Sequence, residues 1–155
     1  MPGAPRQDAD ADWAGEAMVG RDGVGPHIVV IDDDAAIRAL FRDLFDAEGF
    51  RVTLLDAPIP PAALLALAPN LLVLDLVVGG RAGAGERYLH LLKAEPATAA
   101  LPVLVCSAAA DAIERMRPDL ERWSCAICPK PFDLDELLDA VRSCLTGSGS
   151  NAATG

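Results

Sequence analysis

Basic residues are scarce in this chain: 13 Lys plus Arg stand against 23 Asp plus Glu, a formal net charge of -10. Such a surface repels a phosphate backbone instead of gaining from counterion release, which argues against nucleic-acid binding by this chain. Long apolar runs are missing as well. No stretch approaches the roughly 20 residues of a membrane-spanning helix, and the opening MPGAPRQDADADWAG lacks the basic and then apolar order of a signal peptide. A soluble, cytoplasmic protein without membrane insertion is expected. Cysteine is too sparse for a disulfide framework: Cys106, Cys125, Cys128 and Cys144 sit within apolar segments, as in a reducing compartment. Cys125 and Cys128 spell C-x-x-C, but no second Cys or His pair stands at zinc-ligand spacing. Positions i and i+3 of a strand face opposite ways, so both read as core residues. His27 and His90 are isolated and assign no chemistry.

What is present is enough for one domain. The chain has 155 residues, 52% of them hydrophobic, which supports one globular domain with a real core but not two ordinary domains. Residues 1–26 and the terminal GSGSNAATG at 147–155 show no apolar periodicity and read as flexible tails. Trp13 is the one aromatic of the first tail. Between the tails lie HIVVI at 27–31, RVTLL at 51–55, LLVLD at 71–75, PVLVC at 102–106 and CAIC at 125–128. These runs are apolar on consecutive positions, as a parallel strand covered on both faces must be.

Helical patterns separate them. Ile37, Leu40, Phe41, Leu44 and Phe45 form one stripe, stopped by Gly49, with Asp34 placed as N-cap. The last helix carries Leu134, Leu137, Leu138, Val141 and Leu145, opened by Asp133 with Glu136 three residues on, and is expected to close the domain before the Gly/Ser tail. Weaker patterns lie near 61–68, 86–94 and 110–123, where Pro118 is expected to break or kink the helix. The alternation predicts an α/β, three-layer, doubly wound parallel sheet of five strands over residues 27–146, with its ligand site beyond the strands' carboxyl ends.

Those ends carry the chemistry. Asp32, Asp33 and Asp34 close the first strand, Asp75 the third; Ser107 follows the fourth and Lys130 the fifth. Two carboxylates about 5 Å apart repel by roughly 3 kcal/mol at an effective dielectric of ~20, so a cluster of Asp32, Asp33 and Asp75 favours a cation. An all-oxygen site with open positions suits Mg2+ and welcomes a phosphate oxygen. A carboxylate beside Mg2+, with a Lys ammonium and a Ser hydroxyl for the other phosphate oxygens, is equipped to accept a phosphoryl group.

IVVIDDDAAIR at 28–38, LLVLDL at 71–76, VLVCSA at 103–108 and PKPFD at 129–133, each at a strand end and in this order, resemble the receiver domains of two-component response regulators, single-domain, chemotaxis-regulator-like ones included. The resemblance implies a flavodoxin-like (βα)5 fold with strand order 2-1-3-4-5. It implies that Asp75 is the phosphoacceptor, that Asp32 and Asp33 with Asp75 and the Val77 carbonyl hold Mg2+, that Ser107 is the switch hydroxyl and Lys130 the phosphate-binding lysine. The bond before Pro131 is implied to be cis. A histidine kinase or phosphotransfer protein would supply the phosphoryl group, in a bacterial phosphorelay. Output would run through protein contacts of the fourth helix, fifth strand and fifth helix, without an output domain; beyond its own phosphorylation and dephosphorylation no enzyme activity is implied.

Two features depart from that family's pattern. Val77, Val78, Gly79 and Gly80 replace the usual Met-Pro pair, and the stretch to Gly85 is about two residues long by comparison. Ile127 stands where an aromatic switch residue is common. Both leave open a pseudo-receiver that works unphosphorylated. Asp32 and Asp34, a D-x-D pair, leave open an aspartyl-nucleophile phosphohydrolase, although no cap domain or suitably placed Thr accompanies them.

Overall fold

A computed structural model of the chain describes residues 25–81 and 83–154. Trp13 and nearly all of the N-terminal tail lie outside the described residues. In chain order the elements are β1 (His27–Ile31), α1 (Ala35–Ala47), β2 (Arg51–Leu55), α2 (Pro61–Ala66), β3 (Leu71–Leu74), α3 (Ala84–Ala94), β4 (Val103–Ser107), α4 (Ala110–Arg122), β5 (Ala126–Pro129) and α5 (Leu134–Thr154). The sheet is parallel throughout, ordered β2-β1-β3-β4-β5, which is the expected doubly wound arrangement. Among the described residues no helix is long and apolar enough to cross a membrane.

Alternate strand residues feed two separate cores. Val29, Ile31, Leu72, Leu74, Val103 and Val105 pack under Leu64 of α2, Leu89 and Leu92 of α3, and Ile113, Met116 and Leu120 of α4. Ile28, Val30, Leu71, Val73, Leu104 and Cys106 face Phe41 and Phe45 of α1 and Leu137 and Val141 of α5. Cys125 joins the first cluster and Cys128 the second, on opposite faces as the strand period requires. Burial pushes both thiols up, and Cys106 to about 12, so these sulfurs act as small apolar groups at neutral pH.

Helix ends follow their expected chemistry. The Asp34 carboxylate accepts from the amides of Ala36 (2.9 Å) and Ile37 (3.3 Å), and Gly49, at φ 83°, ends α1 with its amide on Asp46 and that of Phe50 on Phe45. The Asp133 carboxylate accepts from the Asp135 amide at 3.0 Å. Two expectations are corrected. Of the break or kink expected at Pro118, the break does not occur, since α4 runs through it from Ala110 to Arg122; Pro118 is exposed, while Met116 and Leu120 on either side are buried and hold the helix to the sheet. The last helix also extends beyond Leu145, to Thr154. Once a helix is nucleated each further residue adds a hydrogen bond, and the Thr146 hydroxyl donates to the Arg142 carbonyl at 2.9 Å. The residues ahead of β1 also contribute, since the Arg51 amide donates to the Pro26 carbonyl at 2.9 Å.

His27 pins the edge opposite the strand carboxyl ends. Its ring is 5% exposed, with Nδ1 2.8 Å from the Leu67 carbonyl and Nε2 2.7 Å from the Thr53 hydroxyl. The carbonyl can only accept, so Nδ1 carries the hydrogen and Nε2 accepts from Thr53. Burial, and secondarily the Arg51 charge, hold the ring below its ordinary value of 6.5. A depressed histidine contributes stability that is complete above the unfolded value and lost as pH falls through the folded one. Urea unfolding should therefore show a loss of stability as pH falls below about 6.5 that is smaller in His27→Gln; equal acid slopes in the two proteins would refute this assignment.

Candidate functional site

The sheet's hydrogen bonding continues one residue past three strands and so fixes the site's backbone. The Asp32 amide donates to Leu55 (3.0 Å), that of Asp75 to Ile31 (3.1 Å) and that of Lys130 to Ser107 (3.0 Å). Asp75 therefore follows β3 instead of ending it, and Ser107 is the last residue of β4. The Lys130–Pro131 peptide is cis. Phe132 beyond it stacks on Phe41 at 5.9 Å, which ties the segment carrying Lys130 to α1.

The side chains converge from there. One carboxylate oxygen from each of Asp32, Asp33 and Asp75 lies within 4.8 Å of the others. Lys130 Nζ donates to Asp32 Oδ2 at 2.7 Å and to Asp75 Oδ2 at 3.1 Å. The other oxygens of that pair accept backbone amides two residues on: Asp34 to Asp32 Oδ1 at 2.9 Å, and Val77 to Asp75 Oδ1 at 3.1 Å. Asp33 differs, because Oδ2 accepts the amide of Gly80, 47 residues away, at 3.1 Å. Asp32 is 2% exposed and Asp75 8%; Asp33 is open to solvent.

Burial pushes the Asp32 carboxyl up, against the opposing pull of the Lys130 hydrogen bond. Burial alone would lower Lys130; the hydrogen bond to Asp32 and the charges of Asp75 and Asp32 outweigh it and hold the ammonium above its ordinary range. Lys130 is therefore cationic at neutral pH and offsets part of the repulsion between two buried carboxylates.

Ser107 is 1% exposed, and its hydroxyl oxygen accepts the Ala109 amide at 3.1 Å. Ile127 is partly buried against the cluster under α3 and α4. Asp34 stays at its cap and is not one of the three clustered carboxylates. Two contacts escape a sequence reading. Arg38 Nη1 donates to the Asp32 carbonyl at 2.9 Å, foreshadowed only by its place one turn into α1. The Gly80 contact has no local sequence signal.

The donor set fits Mg2+. Three carboxylate oxygens within one small cluster, one of them on a solvent-open residue, match a hard cation that keeps several waters and demands oxygen ligands.

Comparison with known proteins places the chain in a family. The family model for the response regulator receiver domain matches residues 28–142, and the chain belongs to that family. Among curated proteins it is 34% identical over 121 residues to PetR of Rhodobacter capsulatus, covering 77% of this chain and 48% of that protein. It is 32% identical to the phosphate regulon transcriptional regulatory protein PhoB of Rhizobium meliloti, again over 77% of this chain and over 52% of that protein. The chain thus spans about half the length of these relatives. Among solved structures, NtrX of Brucella abortus in complex with ATP superposes with TM-score 0.69 at 28% identity, over 83% of this chain and 29% of that one. The non-phosphorylated HemR receiver domain of Leptospira biflexa does so with TM-score 0.62 at 25% identity, over 77% and 94%.

Lys130 Nζ bridges two carboxylates that are otherwise nearly out of water, and removing one partner of such a group leaves uncompensated buried charge. Lys130→Ala should therefore cost about 3 kcal/mol of stability at pH 7.5 in metal-free buffer. Denaturant titration would measure it, and a loss below about 1 kcal/mol, the level of an exposed pair, would contradict the reading.

Proposed function

We propose that this receiver domain is a phosphoacceptor of a two-component phosphorelay, with Asp75 as the residue that takes the phosphoryl group. The observation that carries the reading is the convergence of Asp32, Asp33, Asp75 and Lys130, with Ser107 at the end of the neighbouring strand. The donor would be a phosphohistidine on a histidine kinase or phosphotransfer protein, as family membership suggests. Asp32, Asp33 and Asp75 would hold Mg2+ with the Val77 carbonyl; when bound, the ion supplies positive charge beside the phosphoryl oxygens.

The chain's own groups have distinct tasks. An Asp75 oxygen forms the new bond to phosphorus while the donor's P–N bond breaks and the leaving nitrogen keeps the electron pair. The Val77 amide and the Lys130 ammonium orient the carboxylate before attack. Lys130 then exchanges the Asp75 oxygen for a phosphoryl oxygen, a charge-assisted hydrogen bond of the stronger kind. The Ser107 hydroxyl, now an acceptor for Ala109, turns to donate to another phosphoryl oxygen. That turn releases the Ala109 amide, one residue ahead of α4. The signal therefore leaves through residues 107–111 and α4, toward a protein partner on α4, β5 and α5. Asp34 is committed to capping α1, which speaks against the phosphohydrolase reading of Asp32 and Asp34.

Incubation with phosphoramidate and Mg2+ should add one phosphoryl group, and peptide mapping should find it on Asp75. Asp75→Ala should remove it; label that maps to Asp32, or that survives in Asp75→Ala, would overturn the assignment. Mg2+ alone should stabilise the fold, by about 2.7 kcal/mol at a hundred times its dissociation constant. Asp33→Ala should blunt that gain. Ser107→Ala should still be phosphorylated yet show a weaker change in hydrogen exchange across 107–123 when beryllofluoride is bound at Asp75; an undiminished change would exclude the hydroxyl as the switch.

A further inference from the structure

Asp32 and Asp75 are each held by an amide two residues along their own chain, so their orientation comes with the local turn. Among the described residues Asp33 has no such local support. Its hydrogen bond comes from Gly80, in the stretch that makes the β3–α3 connection long.

That stretch is built as a tight turn. The Arg81 amide donates to the Val78 carbonyl at 3.2 Å, the two residues form an antiparallel bridge, and Gly79 and Gly80 between them have φ 66° and 67°. Positive φ at both central residues is the pattern of a type I′ turn, which glycine adopts without strain. Space is not the constraint: a Cβ on Gly79 or Gly80 would meet nothing within 4 Å, so only the backbone conformation demands glycine. The turn is anchored on both sides. Val78 is 2% exposed in the core. Gly85 packs so closely on the residues after β3 that a Cβ there would lie 2.3 Å from the Asp75 carbonyl oxygen.

We infer that the Gly79–Gly80 turn is a positioning element for Asp33 that sets the affinity of the carboxylate cluster for Mg2+. The inference rests on the reading of Asp32, Asp33 and Asp75 as metal ligands. The Gly80 amide fixes Oδ2 of the one ligand that is otherwise free to swing into solvent, and hydrogen-bonded partners of ligating carboxylates strengthen metal sites in this way. Linkage makes the effect mutual: if the turn raises metal affinity, bound metal stabilises the turn by the same factor. The β3–α3 connection then reports metal occupancy before any phosphoryl group arrives.

The test is Mg2+ titration of the full chain, followed by calorimetry and by the amide resonances, in wild type and in Gly80→Val, Gly80→Asn, Asp33→Ala and Gly49→Val. Gly80→Val should raise the Mg2+ dissociation constant about tenfold. Gly80→Asn, which tolerates positive φ, should stay within about twofold of wild type. Gly49, also at positive φ with nothing within 4 Å of its Cβ position, lies at the far end of α1 and is the control. Its valine variant should lose stability but keep wild-type affinity. Adding Gly80→Val to Asp33→Ala should cost nothing further. In wild type, Gly80 amide exchange should slow at saturating Mg2+. Unchanged affinity in Gly80→Val, or equal losses in Gly80→Val and Gly49→Val, would overturn the positioning role while leaving the metal site standing. A wild-type protein that takes up no Mg2+ would overturn both.

Discussion

Three carboxylates are forced together at one edge of a parallel sheet, and the rest of the site is organised around their repulsion. Two of them, Asp32 and Asp75, are nearly buried, where like charges a few ångströms apart are most costly. Lys130 answers part of that cost by bridging both. It cannot answer all of it, since one ammonium faces three carboxylates. The residual negative charge would favour a divalent cation in the cluster and, in the function proposed above, a phosphoryl group beside that cation. A site fully neutralised by its own side chains would have no reason to bind either.

The fold makes such a costly arrangement tolerable because the expense is met far from the charges. Strand residues on both faces are buried in two separate apolar clusters, and the ladder bonds at Asp32, Asp75 and Lys130 place three backbones without help from their side chains. Phe132 stacked on Phe41, which in turn stacks on Phe45 at 5.4 Å, transfers the rigidity of α1 to the segment carrying Lys130. The carboxylates are thus held by a scaffold that gains nothing from them.

Legibility followed the range of the interactions. Strand runs, the α1 stripe, Asp34 as cap and Gly49 as stop rest on contacts within a few residues, and a sequence displays those directly. The convergence of Asp32, Asp75 and Lys130 spans up to 98 residues, yet it was readable because parallel strands deliver their ends to one edge. Pro118 does not break α4 as local propensity alone would have it, because Met116 and Leu120 anchor the helix on either side of it. The extent of α5 was misjudged for a related reason: a Gly/Ser composition says little about whether a helix already under way will propagate. The Gly80–Asp33 bond could not be read at all. Two glycines announce a turn, but not which carboxylate the turn's amide will meet.

The absence of an aromatic ring at Ile127 bears on how a change at Asp75 could reach a partner. With a branched aliphatic side chain packed at that position, no large group is available to swing between inner and outer positions, so the element that moves has to be backbone. α4, which follows Ser107 and Ala109 directly, is the candidate. Its N-terminus has no side-chain cap, and Pro118 removes one amide from its ladder. Its links to α3, Arg115 with Glu86 and His90 with Asp119 at 3.6 Å, lie largely in solvent, where such pairs contribute little. Trp123 at its end makes an edge contact with His90 at 5.0 Å and lies under Arg122. These contacts can be exchanged one for another without exposing the core. Held to the sheet by Ile113, Met116 and Leu120, α4 would be able to shift over its apolar footing if the Ala109 amide were released as proposed, so a switch without a ring at Ile127 would still have a moving part.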